Sequence, residues 1–126
     1  MRLLVCGSRN FTDKETIAER MRWMLNPGDV VIHGGARGAD SIAGEVAAKM
    51  GLEVIVYKAN WERDGRSAGP IRNDLMLKDG KPDAVLAFFN PGTSRGTQDM
   101  VSRARRAGVP VLLGMSTRVR QPSGSR

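Results

Sequence analysis

Five short apolar runs alternate with four stretches of helical period, and turns carrying glycine follow the first, second and fourth runs. No other feature constrains the fold as tightly. The runs cover residues 2–6, 29–33, 53–57, 84–89 and 109–114, and each reads as a buried strand. The helical stretches cover 13–25, 39–50, 70–77 and 97–107. Thr12 or Asp13 caps the first helix, and Ile17, Met21, Met24 and Leu25 fall on its inner face. Gly51 stops the second, whose inner face carries Ile42, Ala43, Val46, Ala47 and Met50. Pro70 suits the first turn of the third. The fourth turns Met100, Val101, Ala104 and Ala107 inward and Arg103, Arg105 and Arg106 outward, and Gly108 stops it.

Strict strand–helix alternation predicts an α/β fold: a parallel five-stranded sheet with helices on both faces. The expected strand order is 3-2-1-4-5. Ligands of such sheets bind beyond the carboxyl ends of the strands, where the order reverses. The chain of 126 residues fits one domain. That domain is expected over 1–114. The polar, aperiodic segment 115–126 reads as a disordered basic tail.

The glycine turns fall at those carboxyl ends. They are Gly7-Ser8-Arg9, Gly34-Gly35-Ala36-Arg37-Gly38-Ala39-Asp40 and Asn90-Pro91-Gly92-Thr93-Ser94-Arg95-Gly96-Thr97. Each brings backbone N–H groups and a helix start together, an arrangement that binds anions, and each carries an arginine. Gly34 and Gly35 let the backbone approach a ligand, and Gly38 allows the helix start to pack closely. Arg37 can pair with a phosphate. Asp40 either accepts from a ribose or caps its own helix. Gly92, Thr93, Gly96 and Thr97 offer donors at a helix start, Thr97 being equally placed to cap it. Ser8 and Arg9 either complete the pocket or serve a turn and the solvent. Arg72 stands in the first turn of a helix, where its charge opposes the dipole. It faces a negative ligand or pairs with Asp74; Asn73 follows it. Trp61, in the long connection 58–69, covers a base or shields the core edge. A connection of that length suits a functional lid.

Several chemistries are disfavoured. The second turn lacks the G-x-G-x-x-G spacing and follows the second strand, and no Gly-Lys-Ser/Thr loop occurs. One His and one Cys leave no plausible zinc ligand set. His33 is read as a structural strand-end residue and Cys6 as a small core residue. A single cysteine and no apolar run near the ~20 residues of a membrane span fit a cytoplasmic protein. The net charge of +7 favours anionic partners, nucleic acid among them. Two Trp, one Tyr and three Phe are few for a base-stacking nucleic-acid platform.

The same residues resemble the SLOG superfamily, which includes the LOG nucleotide hydrolases and the Rossmann-like domain of DNA-processing protein A. Within it the chain is most similar to the YspA-type, cpYpsA-related family. The matching segments are Gly7-Ser8-Arg9, residues 33–40, Ala59-Asn60-Trp61, Ala68-Gly69-Pro70-Ile71-Arg72-Asn73 and residues 92–100. The resemblance implies a Rossmann-like three-layer sandwich. It also implies a pocket for nucleotides or ADP-ribose-type ligands, with no cofactor required, and a homodimer as in relatives. Members act as sensors or cleave N-glycosidic bonds. LOG enzymes carry Pro-Gly-Gly-x-Gly-Thr-x-x-Glu with a catalytic Glu and a partner Arg. Met100 stands at that Glu position, while Arg72 matches the Arg. Asp99, one residue away and about 100° round the helix, is the substitute carboxylate. A nucleotide-binding module is therefore the leading expectation. A nucleotide N-glycosidase using Arg72 and Asp99 is the first alternative, and a DNA-binding accessory protein the second.

Overall fold

The computed structural model describes residues 1–89 and 95–115. The strands are β1 (Arg2–Gly7), β2 (Val30–His33), β3 (Glu53–Val56), β4 (Ala84–Phe88) and β5 (Val111–Gly114). They form one sheet in the order β3-β2-β1-β4-β5, and every pairing is parallel. Central β1 pairs Leu4 with Ile32 on one side and with Val85 on the other. The order reverses between β1 and β4, as the alternation of elements predicts.

A strand covered on both faces must be apolar at every position. Leu3, Leu4 and Val5 are accordingly fully buried. Side chains alternate across the sheet. Leu3 and Val5 join one core cluster with Phe11, Ile17, Met21, Ile42 and Ala43. Leu4 and Cys6 join the other with Met76, Met100, Val101 and Ala104. The first cluster lies under α1 (Lys14–Met24) and α2 (Ala39–Lys49), the second under α4 (Ala68–Lys78) and α5 (Arg95–Arg106). The result is a three-layer, Rossmann-like α/β fold.

Asp13 caps α1, its carboxylate accepting from Thr16 N–H at 3.2 Å. Gly51, at φ +76, follows the end of α2. Ala107 lies beyond the end of α5 and is exposed, because the helix finishes at Arg106. Arg103 is not simply solvated: its Nε donates to Asp99 at 2.8 Å and Nη1 lies 3.7 Å from Asp74.

The largest departure from the sequence expectation is the connection 58–69. It contains a short helix, α3 (Trp61–Asp64), then a 3₁₀ turn (Gly65–Ser67) that runs directly into α4. Asn60 caps α3 by accepting from Arg63 N–H at 3.0 Å. The Arg63 guanidinium is paired with Asp64. Local polar bonds that period-based pattern reading does not detect make this a built clip. Helix α4 consequently starts at Ala68, two residues before Pro70.

Most of the third glycine turn, including Gly92 and Thr93, lies outside the described residues, as does the tail beyond Met115. Among the described residues no helix is long and apolar enough to cross a membrane.

Candidate functional site

A cleft of about 600 Å³ opens at the switch point between β1 and β4. Its floor is Cys6, Gly7, Met76 and Met100. Arg9, Ala36 and Asp40 form one wall. The other is built by Trp61 and Arg66 of the clip, Gly69, Pro70, Arg72 and Asn73 of α4, and Arg95, Gly96, Thr97 and Asp99 of α5. The volume is that of an ordinary small-molecule site.

Asp40, in the first turn of α2, is 5% exposed. Its Oδ2 accepts from Gly34 N–H at 2.9 Å and from Ala36 N–H at 3.4 Å. It therefore braces the turn that precedes its helix, and Gly38, not Asp40, is the N-cap. Burial raises its carboxyl pKa to about 6, against the opposing pull of the Ala36 and Gly34 amides and of Arg72. The Gly35 N–H donates to His33 Nδ1 at 3.0 Å. That bond fixes the neutral tautomer with its proton on Nε2. Burial, and secondarily Arg72, lowers the His33 pKa. His33 is thus structural, as its sequence setting suggests. Cys6 is also a core residue, its thiol pKa raised chiefly by burial and further by Asp40.

Two glycines permit the close approaches of this wall. A Cβ on Gly34 would fall 2.5 Å from Arg72 Nη1 and 3.0 Å from Asp40 Oδ2. Gly38 sits at φ +78, and a Cβ there would lie 2.5 Å from the Ser8 oxygen and closer still to that of Arg9. Gly38 therefore locks the start of α2 onto the turn after β1.

Arg72 does not pair with Asp74, which instead bonds Lys78 at 3.0 Å. Its Nη1 donates to Gly34 O at 2.5 Å and its Nε to Asn73 Oδ1 at 3.0 Å. Nη2 has no partner among the described residues. Burial lowers its pKa and neighbouring Asp40 works the other way; Arg9 adds to the lowering. Asn73, 3% exposed, donates through Nδ2 to Asp99 Oδ2 at 3.0 Å and to Gly96 O at 3.3 Å. A chain of polar contacts thus runs from the end of β2 through α4 to α5.

Of the residues singled out in the sequence, Gly7, Arg9, Asp40, Arg72, Asn73, Gly96 and Thr97 line the cleft. Asp99 lines it too. Thr97 is 2% exposed and is the third residue of α5, past the capping position. Ser8, Gly34, Gly35, Arg37 and Gly38 do not line it. Ser8 is 2% exposed, and its backbone joins β1 to Phe88 and Phe11. Arg37 is exposed outside the cleft. Met100, at the position of the LOG glutamate, is fully buried in the floor. Arg66 was not singled out, because the clip that carries it has no periodic signal. Among the described residues no group of three His, Cys, Asp or Glu side chains is placed to hold a metal ion.

Known proteins fit this picture. The sequence model of the YspA, cpYpsA-related SLOG family matches residues 1–63. That segment takes in the first two glycine turns, Asp40 and Trp61. Gene 61 protein of Mycobacterium phage D29 is 40% identical over 119 residues, spanning 88% of this chain and 94% of that protein. With the sheet order and the glycine-locked turn already established, the chain belongs to the YspA, cpYpsA-related SLOG family.

Proposed function

We propose that this protein is a binding module for a nucleotide-derived ligand, held in the cleft at the switch point. One observation carries the proposal. Arg9, Arg66, Arg72 and Arg95 all line the cleft, and the carboxylates lining it, Asp40 and Asp99, are both engaged in internal hydrogen bonds. The net field inside is positive and directed at an anion.

The arginines divide the work. Arg72 is fixed by Gly34 and Asn73, so its guanidinium presents Nη2 in a set orientation. Arg9 lines the cleft from the turn after β1, and Arg95 opens α5. The positive end of α5 reinforces their charge. Gly92 and Thr93, outside the described residues, are proposed from their sequence setting as further donors to the anion. Asp40 acts through the turn it braces.

Binding is preferred to N-glycosidic hydrolysis on the state of the carboxylates. Asp99 Oδ2 accepts from both Asn73 and Arg103, and an apolar methionine stands at the glutamate position. A carboxylate so engaged has one oxygen already committed to two internal donors. Incubation with a panel of nucleotides is expected to release no free base.

Calorimetric titration with ADP-ribose tests binding directly. Arg72→Ala is expected to weaken it about ten-fold or more, the loss of one charged hydrogen-bond donor. Arg72→Lys, which keeps the charge, is expected to recover part of it. Equal affinity in a folded Arg72→Ala variant rejects the proposal.

A further inference from the structure

We infer that Trp61 is the stacking platform for an aromatic base, so that the ligand is a nucleoside 5′-phosphate or a derivative that keeps its base. This rests on the proposed nucleotide-binding role and specifies which end of the cleft holds which end of the ligand.

Three observations carry it. Trp61 is 52% exposed and lines the cleft, whereas the other tryptophan, Trp23, is 80% exposed on α1, away from the cleft. An indole left half in water at the mouth of a cleft has an apolar face still to cover. Next, the short helix that carries the ring is held in place. Asn60 caps its helix, and Asp64 N–H donates to Asn60 O at 2.9 Å. The edge of the ring comes near Gly69 at the start of α4, where a Cβ would fall at an ordinary contact distance of 3.5 Å from Trp61 Cη2. A platform already fixed loses little conformational entropy when a base settles on it.

The third observation is the arrangement of charge. Arg72 is three residues beyond Gly69 in α4, about 4.5 Å further along the helix axis. Arg72 is in the electrostatic reach of Arg9, and Asn73 ties it to the first turn of α5. The indole therefore meets α4 at Gly69, and the fixed cation is held further along it, at Gly34. A nucleoside monophosphate has the same polarity, with a flat apolar base separated from its phosphate by a sugar. Arg66, carried on the clip with Trp61, lines the same cleft and adds an exposed cation to it.

The test uses the full chain with Trp23→Phe, which leaves Trp61 as the sole indole. AMP and ribose 5-phosphate are titrated by calorimetry and by tryptophan fluorescence. AMP is expected to quench the emission and to bind about ten-fold tighter than ribose 5-phosphate, the usual effect of one base–aromatic stack. Trp61→Ala is expected to abolish that preference, with ribose 5-phosphate affinity unchanged, and Trp61→Phe to keep most of it. If Trp61→Ala retains the preference, the base lies elsewhere, on the Cys6, Met76 and Met100 floor, and the inference is overturned. Ribose 5-phosphate binding with no AMP preference in the starting protein overturns it too, while leaving the anion site standing. If neither compound binds, the nucleotide-binding proposal itself fails and takes the platform with it.

Discussion

On the β2 side of the cleft, the amides of Gly34, Gly35 and Ala36 all have partners within the protein: the Asp40 carboxylate and the His33 ring. On the α3 side, Trp61 and Arg66 stand exposed, and Arg66 has no ion-pair partner among the described residues. Both walls carry the residue types of a ligand site, yet apart from Arg9 only the second has groups to spare. A glycine turn with a nearby carboxylate is a self-contained device: the glycines allow close packing and the acid replaces the anion. The free donors belong to the wall with the weaker sequence pattern. The division can be broken or sharpened by substitution on either side.

The closed wall should respond most strongly, and in stability. Gly38→Ala places a side chain at φ +78, against two backbone oxygens that cannot swing away. Strain and overlap together are expected to cost about 4 kcal/mol in urea unfolding. A loss below about 1 kcal/mol would mean that α2 is not locked to the β1 turn.

Asp40 gives the next largest effect, and its sign is informative. Its folded pKa, about 6, lies above the ordinary carboxyl value of 3.8. Between these values the folded state binds more protons than the unfolded, so this group's contribution is complete below about pH 4 and fades as pH rises through 6. A shift of about two units corresponds to about 3 kcal/mol. Asp40→Asn keeps an oxygen for Gly34 and Ala36 without a buried charge. Its stability relative to the parent is therefore expected to rise by about 2 kcal/mol between pH 4 and pH 7. The titration of His33 is common to both proteins and cancels. A pH-independent difference would show that Asp40 is ionised without penalty, and the contrast between the walls would lose its electrostatic basis.

Asn73 ties α4 to α5 within the open wall and holds Arg72, which joins that wall to the other. Asn73→Ala removes the acceptor of Arg72 Nε and the donor to Asp99, and is expected to cost about 2 kcal/mol by urea unfolding. Unchanged stability would show that α4 and α5 hold together without this chain of contacts.

The architecture was legible because it rests on period and punctuation. Continuous apolar runs such as Leu3-Leu4-Val5 admit only a doubly covered strand, and five of them separated by helical patterns leave few topologies. The direction of a hydrogen bond has no such pattern. Asp40 lies in the first turn of α2, yet its carboxylate turns back to the preceding amides, and nothing in the order of residues distinguishes that from a sugar contact or a cap. The clip 60–67 was hidden for a related reason. A helix of four residues makes too few turns to show a period, and its stability comes from Asn60 and a local ion pair. Trp61 and Arg66 gained a position only once that clip was seen.

The smallest effects are expected on the open wall, where they separate its exposed cations from the held one. Arg66 and Arg95 are exposed, so each acts on a bound phosphate through water. Arg66→Ala and Arg95→Ala are each expected to weaken AMP binding roughly three-fold at low salt, the scale of an exposed ion pair. Screening tightens as ionic strength rises, and at about 0.5 M salt both effects should nearly vanish. Arg72 is half-buried and fixed by Gly34 and Asn73, so the loss in Arg72→Ala should persist at the same salt concentration. Three arginines with the same salt response would mean that Arg72 is as loosely engaged as the others. The bond to Gly34 would then serve the closed wall alone, and the link between the two walls would be structural with no consequence for the ligand.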